Sequence, residues 1–337
     1  MRINPSWRVS WPDEHTVRVG SGPEALVLGD VAPPLRPWLE RLAREGISDA
    51  ALAGAPEELR ALVGRLAPAL MEDAEEGAAA RAVPGLAGDR LRSDAHAWAS
   101  AYGPGVGRVL ERRHRAHVWI SGLDRCGLSL ALELAAAGVG RLSVRDRGKL
   151  EPGDLGGTPL RLTELGLPRS AALARHVGRL YPHTHVLAPV ALHDAVRGID
   201  LAVLVCRDGL AARDVARLSA AGVAALPIVF HESGFSVGPL HLPEAPGCAA
   251  CRWESWPLAE EPSAAADGSP KTSPQPEEAP ETTSALLAAA LAAQSVVMVL
   301  DDVNLPSLVE GRYVCTLGSA AVHFEPLPAT CGHRLAA

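Results

Sequence analysis

The chain has 337 residues, 47% hydrophobic and 21% charged, with a net charge of −7. This is enough length for two domains, one of them with a full sheet-and-helix core, and the composition of an ordinary globular protein. The negative balance supplies no basic field for a polyanion, so nucleic acid is not an expected partner.

The N-terminus, MRINPSWRVSWPDEH, has no apolar signal core. Residues 1–30 then alternate as strands do: WRVSW, TVRVG and ALVLG place apolar side chains two apart, separated by PDEH and GSGPE turns. Pro33 and Pro34 open a helix through Trp38, Leu39, Leu42 and Ala43, and two more helices are predicted at 48–53 and 57–71. Strands followed by helices within residues 1–75 make a small winged-helix-like α+β domain. Residues 76–115, polar, glycine-rich and partly helical, read as a connector.

From Ala116 the pattern becomes α/β alternation. Strands are predicted at 118–121, 141–145, 186–190, 201–205, 226–230 and 235–242, with helices at 127–137, 170–180 and 211–221. This order predicts a Rossmann-like, mostly parallel sheet with helices on both faces. The Pro-, Ala-, Glu- and Ser-rich stretch 257–283 contains no aromatic residue and is expected to be a disordered insertion. A helix over 284–300 and a hairpin around Gly318-Ser319 close the domain. The apolar run 285–300, broken by Gln294 and Ser295, falls short of the ~20 residues of a spanning helix, so no membrane is expected.

Between the first parallel strand and its helix lies Gly122-Leu123-Asp124-Arg125-Cys126-Gly127, set against the phosphate-binding pattern G-x-G-x-x-G. The first and third glycines, Gly122 and Gly127, are present, and Asp124 replaces the second. A carboxylate ~4 Å from a phosphate costs roughly 1 kcal/mol in bulk water and about 4 at an effective dielectric near 20. Arg125 offsets part of this if it turns inward. Otherwise the turn serves packing alone. Asp146, at the end of the next strand, is spaced for a ribose hydroxyl. Arg169 and Asp208 stand at the ends of later α/β units, where they either point into the crevice or are solvated loop charges.

Six cysteines are too few for a disulfide scaffold. Cys248 and Cys251 form C-x-x-C, half of a tetrahedral zinc site, and Cys331 with His333 offers a second half. A Cys3His structural zinc is expected, with two unrelated thiol groups as the alternative. The expected compartment is the cytoplasm.

The run HVWISGLDRCGLSLALELAAAGVG, with Asp146, Asp208 and the late C-x-x-C, resembles the ThiF/MoeB, ubiquitin-activating superfamily over roughly residues 115–333. The stretch FSVGPLHLP followed by Gly247-Cys-Ala-Ala-Cys resembles, more narrowly, an actinobacterial branch linked to thiazole/oxazole-modified peptide (RiPP) biosynthesis. There a ThiF-like protein works beside a YcaO-type cyclodehydratase. The first domain resembles the PqqD-like unit that binds a precursor's leader peptide as an added strand. This likeness implies a ThiF-like domain over 116–333, zinc at Cys248, Cys251, Cys331 and His333, and a homodimer. It also implies an ATP site at Gly122, Asp124, Arg125, Gly127 and Asp146. The catalytic lysine of the pattern maps to Arg169, its magnesium-holding aspartate to Asp208, its Asn to Asp154, and an expected arginine falls near Gly157. Two readings follow: a non-catalytic partner that presents a leader-bound substrate to another enzyme, or, with Asp208 and Arg169 in catalytic roles, an adenylyltransferase using ATP and magnesium. A dinucleotide oxidoreductase fits worse, because no hydride-site pair accompanies the loop.

Overall fold

The computed structural model describes residues 1–71, 86–102, 106–245, 249–258 and 279–328. Its contacts divide the chain into two units, Met1–Arg112 and Arg113–Ala337.

In the first unit, β2 (Val9–Ser10), β3 (Val17–Val19) and β4 (Leu26–Leu28) form an antiparallel meander, and β1 (Arg2–Ile3) pairs with β5 (Leu70–Met71). Helices α1 (Arg36–Arg44), α2 (Asp49–Ala53) and α3 (Glu57–Arg65) fold over them and bury Leu39, Leu42, Leu59 and Leu62 with Val17, Val19 and Leu28. The Ser48 hydroxyl caps α2 by accepting the Ala51 N–H, as its place before the helix predicts. The helix expected to reach residue 71 ends at Arg65, because Pro68 lies just beyond and Leu70 and Met71 return to pair with β1.

The stretch read as a partly helical connector supplies α4 (Leu86–Tyr102) and α5 (Val106–Arg115). Leu91, Ala95 and Ala99, four apart on one face of α4, bury against Met71 and Leu110. Asn4 Nδ2 donates to the His96 carbonyl at 2.8 Å and Trp7 Nε1 to Ser100 Oγ at 2.6 Å, which ties α4 to the start of the chain.

The second unit is built on an eight-stranded sheet. Its parallel part is β8 (His185–Leu187), β7 (Arg141–Arg145), β6 (His117–Ser121), β9 (Leu201–Arg207) and β10 (Ala224–His231), in that spatial order. An antiparallel edge of β11 (Gly234–Val237), β12 (Gly311–Thr316) and β13 (Val322–Pro326) completes it. Helices cover both faces. α6 (Arg125–Ala136), α7 (Arg169–Leu180) and α11 (Thr282–Asp301) pack on one side. On the other, α8 (Leu192–Ala195), α9 (Ala212–Ala221) and Trp256 bury Trp119, Ala202, Leu204 and Ala225. The central strands β6, β7, β9 and β10 are buried along most of their length, as a doubly covered parallel sheet requires.

Helix α11 begins at Thr282, inside the stretch expected to be disordered, and the rest of that insertion, 259–278, lies outside the described residues. At 20 residues α11 is long and apolar enough to cross a membrane, contrary to the length read from the sequence. In the fold it is a core helix: Ala285, Ala288, Ala289 and Ala292 are buried, and their small side chains let it lie close along α6. Its last residue, Asp301, is wholly buried and takes two hydrogen bonds of 2.5 Å from Arg113.

Candidate functional site

The chain leaves β6 toward β7 and β8, then returns to place β9 on the opposite side of β6. This reversal opens a crevice at the carboxyl ends of β6, β7 and β9, where doubly wound sheets bind ligands. The sequence motif falls there. Gly122 has φ +86°, and an added Cβ would lie 2.5 Å from the Val205 carbonyl oxygen. At Gly127 it would lie 1.9 Å from the Gly122 carbonyl oxygen. Both glycines are therefore demanded by packing, whatever the loop binds.

Asp124 does more than place a negative charge near the loop. It is the N-cap of α6, and its Oδ1 accepts the N–H of Cys126 at 2.9 Å and of Gly127 at 3.1 Å. These first-turn donors are the groups a helix offers a phosphate. Burial raises the Asp124 pKa, while the two N–H groups and Arg169 pull it down. The sequence suggested repulsion of an incoming phosphate, and the structure adds occupancy: the loop already holds its own acceptor.

The other acids are committed as well. Asp146 accepts the Leu123 N–H through Oδ2 at 2.8 Å and the Gly148 N–H through Oδ1 at 2.7 Å. Asp154, wholly buried, caps a short 3-10 turn by accepting the Glu151 N–H at 3.0 Å, and its same Oδ2 accepts Arg169 Nε at 2.8 Å. Arg169 also lies 3.9 Å from Asp146. Burial works against the Arg169 charge, but the Asp154 bond and the surrounding carboxylates outweigh it and raise its pKa.

Arg125 makes its side-chain hydrogen bonds at the start of α11. Its guanidinium donates to Thr282 Oγ1 at 2.6 Å and to the Pro280 carbonyl at 3.0 Å. Asp208 is exposed at the end of β9, in the left-handed region at φ +64°. Cys206 lies near enough to feel both Asp124 and Asp208: burial, then these two charges, push its thiol up to about 12, which leaves it inert as a nucleophile.

The structure therefore gathers Gly122, Asp124, Gly127, Asp146 and Arg169 into one site with Asp208 on its rim. As arranged, these residues do not fit a nucleotide, since the Cys126 and Gly127 helix donors, the acid spaced for ribose and the central cation have protein partners. Of the expected zinc set, Cys248, Cys331 and His333 lie outside the described residues, while Cys251 is half-buried on the short helix α10 (Ala249–Glu254). Sequence reading missed the Asp154–Arg169 pair, although Glu151 and Asp154, three apart before an apolar residue, carry a capping signal. A cavity of about 1180 Å³ lies at the opposite, amino edge of the sheet, bordered by His193, Arg197 and Arg217. Its charged groups are exposed and do not converge, so volume alone does not make it the site.

No family model matches the sequence, and no curated protein matches it. Solved structures do match. PaaA aligns with a TM-score of 0.73 at 18% identity, covering 96% of this chain and 98% of that one. Escherichia coli MccB, solved with AMPCPP and MccA, aligns with a TM-score of 0.71 at 15% identity, covering 98% and 97%. The microcin C7 biosynthetic enzyme MccB in complex with N-formylated MccA gives 0.68 at 16%, covering 98% of each. The chain has the fold of PaaA and MccB. At these identities the likeness establishes architecture, and the residues of the site must speak for its chemistry.

Proposed function

We propose that this chain is a ThiF-like partner protein of azoline-type RiPP biosynthesis. It grips the leader of a precursor peptide with its first unit and presents the remainder to a separate YcaO-type cyclodehydratase, while its nucleotide site is degenerate. The observation that carries this reading is the Asp124 carboxylate bonded to the Cys126 and Gly127 N–H groups. An ATP-using loop needs those donors free.

Support for a peptide partner comes from the fold shared with MccB, a biosynthetic enzyme solved in complex with MccA. Within the first unit, β4 pairs only with β3 among the described residues, and Val27 on it is exposed. A leader strand added at that edge, beside α3, would gain main-chain hydrogen bonds, with side-chain pockets giving selectivity. A homodimer and a structural zinc on Cys248, Cys251, Cys331 and His333 belong to the same reading; light scattering and metal analysis of the purified chain test them.

Isothermal titration with the leader encoded beside this gene is the direct test. Saturable heat is expected, and Val27→Pro, which blocks strand pairing at β4, should remove it. Absence of heat with the unaltered chain ends the proposal. The competing reading, an active adenylyltransferase, is favoured by the intact Gly122–Gly127 turn with Asp146 and Asp208 at one edge. Magnesium-dependent pyrophosphate exchange would establish it.

A further inference from the structure

Asp124 accounts for the helix donors but not for Arg169, the cation that reaches the acids of the crevice. Three observations converge on that side chain. First, Asp154 Oδ2 holds Arg169 Nε at 2.8 Å with both side chains largely out of water. Second, the cap that Asp154 provides needs no charge, because an amide oxygen accepts the Glu151 N–H equally well. Its Oδ1 is buried without a hydrogen-bond partner among the described residues, which makes a carboxylate costly there unless Arg169 requires it. Third, Arg169 passes beneath Gly148: a Cβ at that position would stand 2.6 Å from Arg169 Nη1, and the Gly148 carbonyl accepts the Arg169 N–H at 3.1 Å. The glycine leaves the space through which the guanidinium reaches Asp154.

We infer that Asp154 is a specificity-determining residue: it latches Arg169 and, as a second lock beside Asp124, makes the crevice refuse phosphate-bearing ligands. This rests on the reading of the nucleotide site as degenerate and says what keeps it so. With both locks in place the Cys126 and Gly127 N–H groups and the Arg169 Nε are already bonded to carboxylates. Opening one lock leaves the other, so the two substitutions act together rather than additively.

Magnesium-ATP binding to the full chain tests the inference by titration of four proteins: unaltered, Asp124→Gly, Asp154→Asn and the double variant. Asp154→Asn alone should bind no better than the unaltered chain, because the helix donors remain taken. Asp124→Gly should bind weakly, and the double variant at least tenfold more tightly than Asp124→Gly. Should the double variant fail to fold, Asp124→Gly with Gly148→Ala releases Arg169 from the other side, since the new Cβ displaces the end of the guanidinium. Equal affinity of Asp124→Gly and the available double variant overturns the latch, as does tight binding by Asp154→Asn alone. Leader binding by the unaltered chain is read separately, so the latch and the proposed function can fail independently.

Discussion

Glu133 lies partway along α6, half-buried and without an ionic partner among the described residues. Burial pushes its carboxyl from 4.5 up to about 7. The folded pKa exceeds the unfolded one, so the fold loses nothing below about 4.5 and is progressively penalised as pH rises from there to about 7. Glu133→Gln should raise stability by on the order of 2 kcal/mol above neutrality and leave it unchanged near pH 4.5. Melting curves at the two pH values decide, and equal gains at both would refute the assignment. Asp124 teaches a related lesson. From sequence it stood out as a defect in a glycine pattern, yet Asp before a helix is also a strong capping signal. The second meaning governs its geometry and moves the start of α6 back to Arg125.

Most elements of the second unit were legible because local signals agree with the fold. β6, β7, β9 and β10 are apolar runs bounded by turn residues, and the chain's α/β rhythm admits few other arrangements. Where local signals were overread, proline or glycine explains the end. The strand expected over 186–190 stops at Leu187 before Pro189, and the one over 235–242 stops at Val237 before Gly238 and Pro239. Partners far apart in sequence were not legible. Arg113 and Asp301 are separated by 188 positions, and neither residue carries a local cue to the other. Their buried pair ties the last residue of α11 to the segment that leads into β6. Arg113→Met should destabilise the second unit by about 3–5 kcal/mol by stranding a buried acid, whereas Arg113→Met with Asp301→Leu should recover most of the loss. Urea unfolding of the two variants provides the comparison, and a double variant as weak as the single one would contradict it.

Across the whole molecule, the division into units falls at residues 112 and 113, and α4 keeps its apolar face with Met71 and its polar contacts with Asn4 and Trp7. A glycine-rich, polar stretch looks like a linker until its fourfold alanine spacing is weighed. At the same scale, α6 and α11 bring their amino ends together, joined by Arg125, and each end carries its own carboxylate. Asp124 caps the first; Glu281 caps the second, its carboxyl pulled down to about 2 by the Thr283 and Ser284 N–H groups. The electropositive poles that such a pair of helices would turn outward are thus filled with counterions during folding. A protein with vacant helix poles gains thermal resistance when millimolar sulfate or phosphate binds them. Here sulfate should find the α6 pole already taken, so the rise of melting temperature across sodium sulfate at fixed ionic strength should steepen once Asp124 becomes glycine.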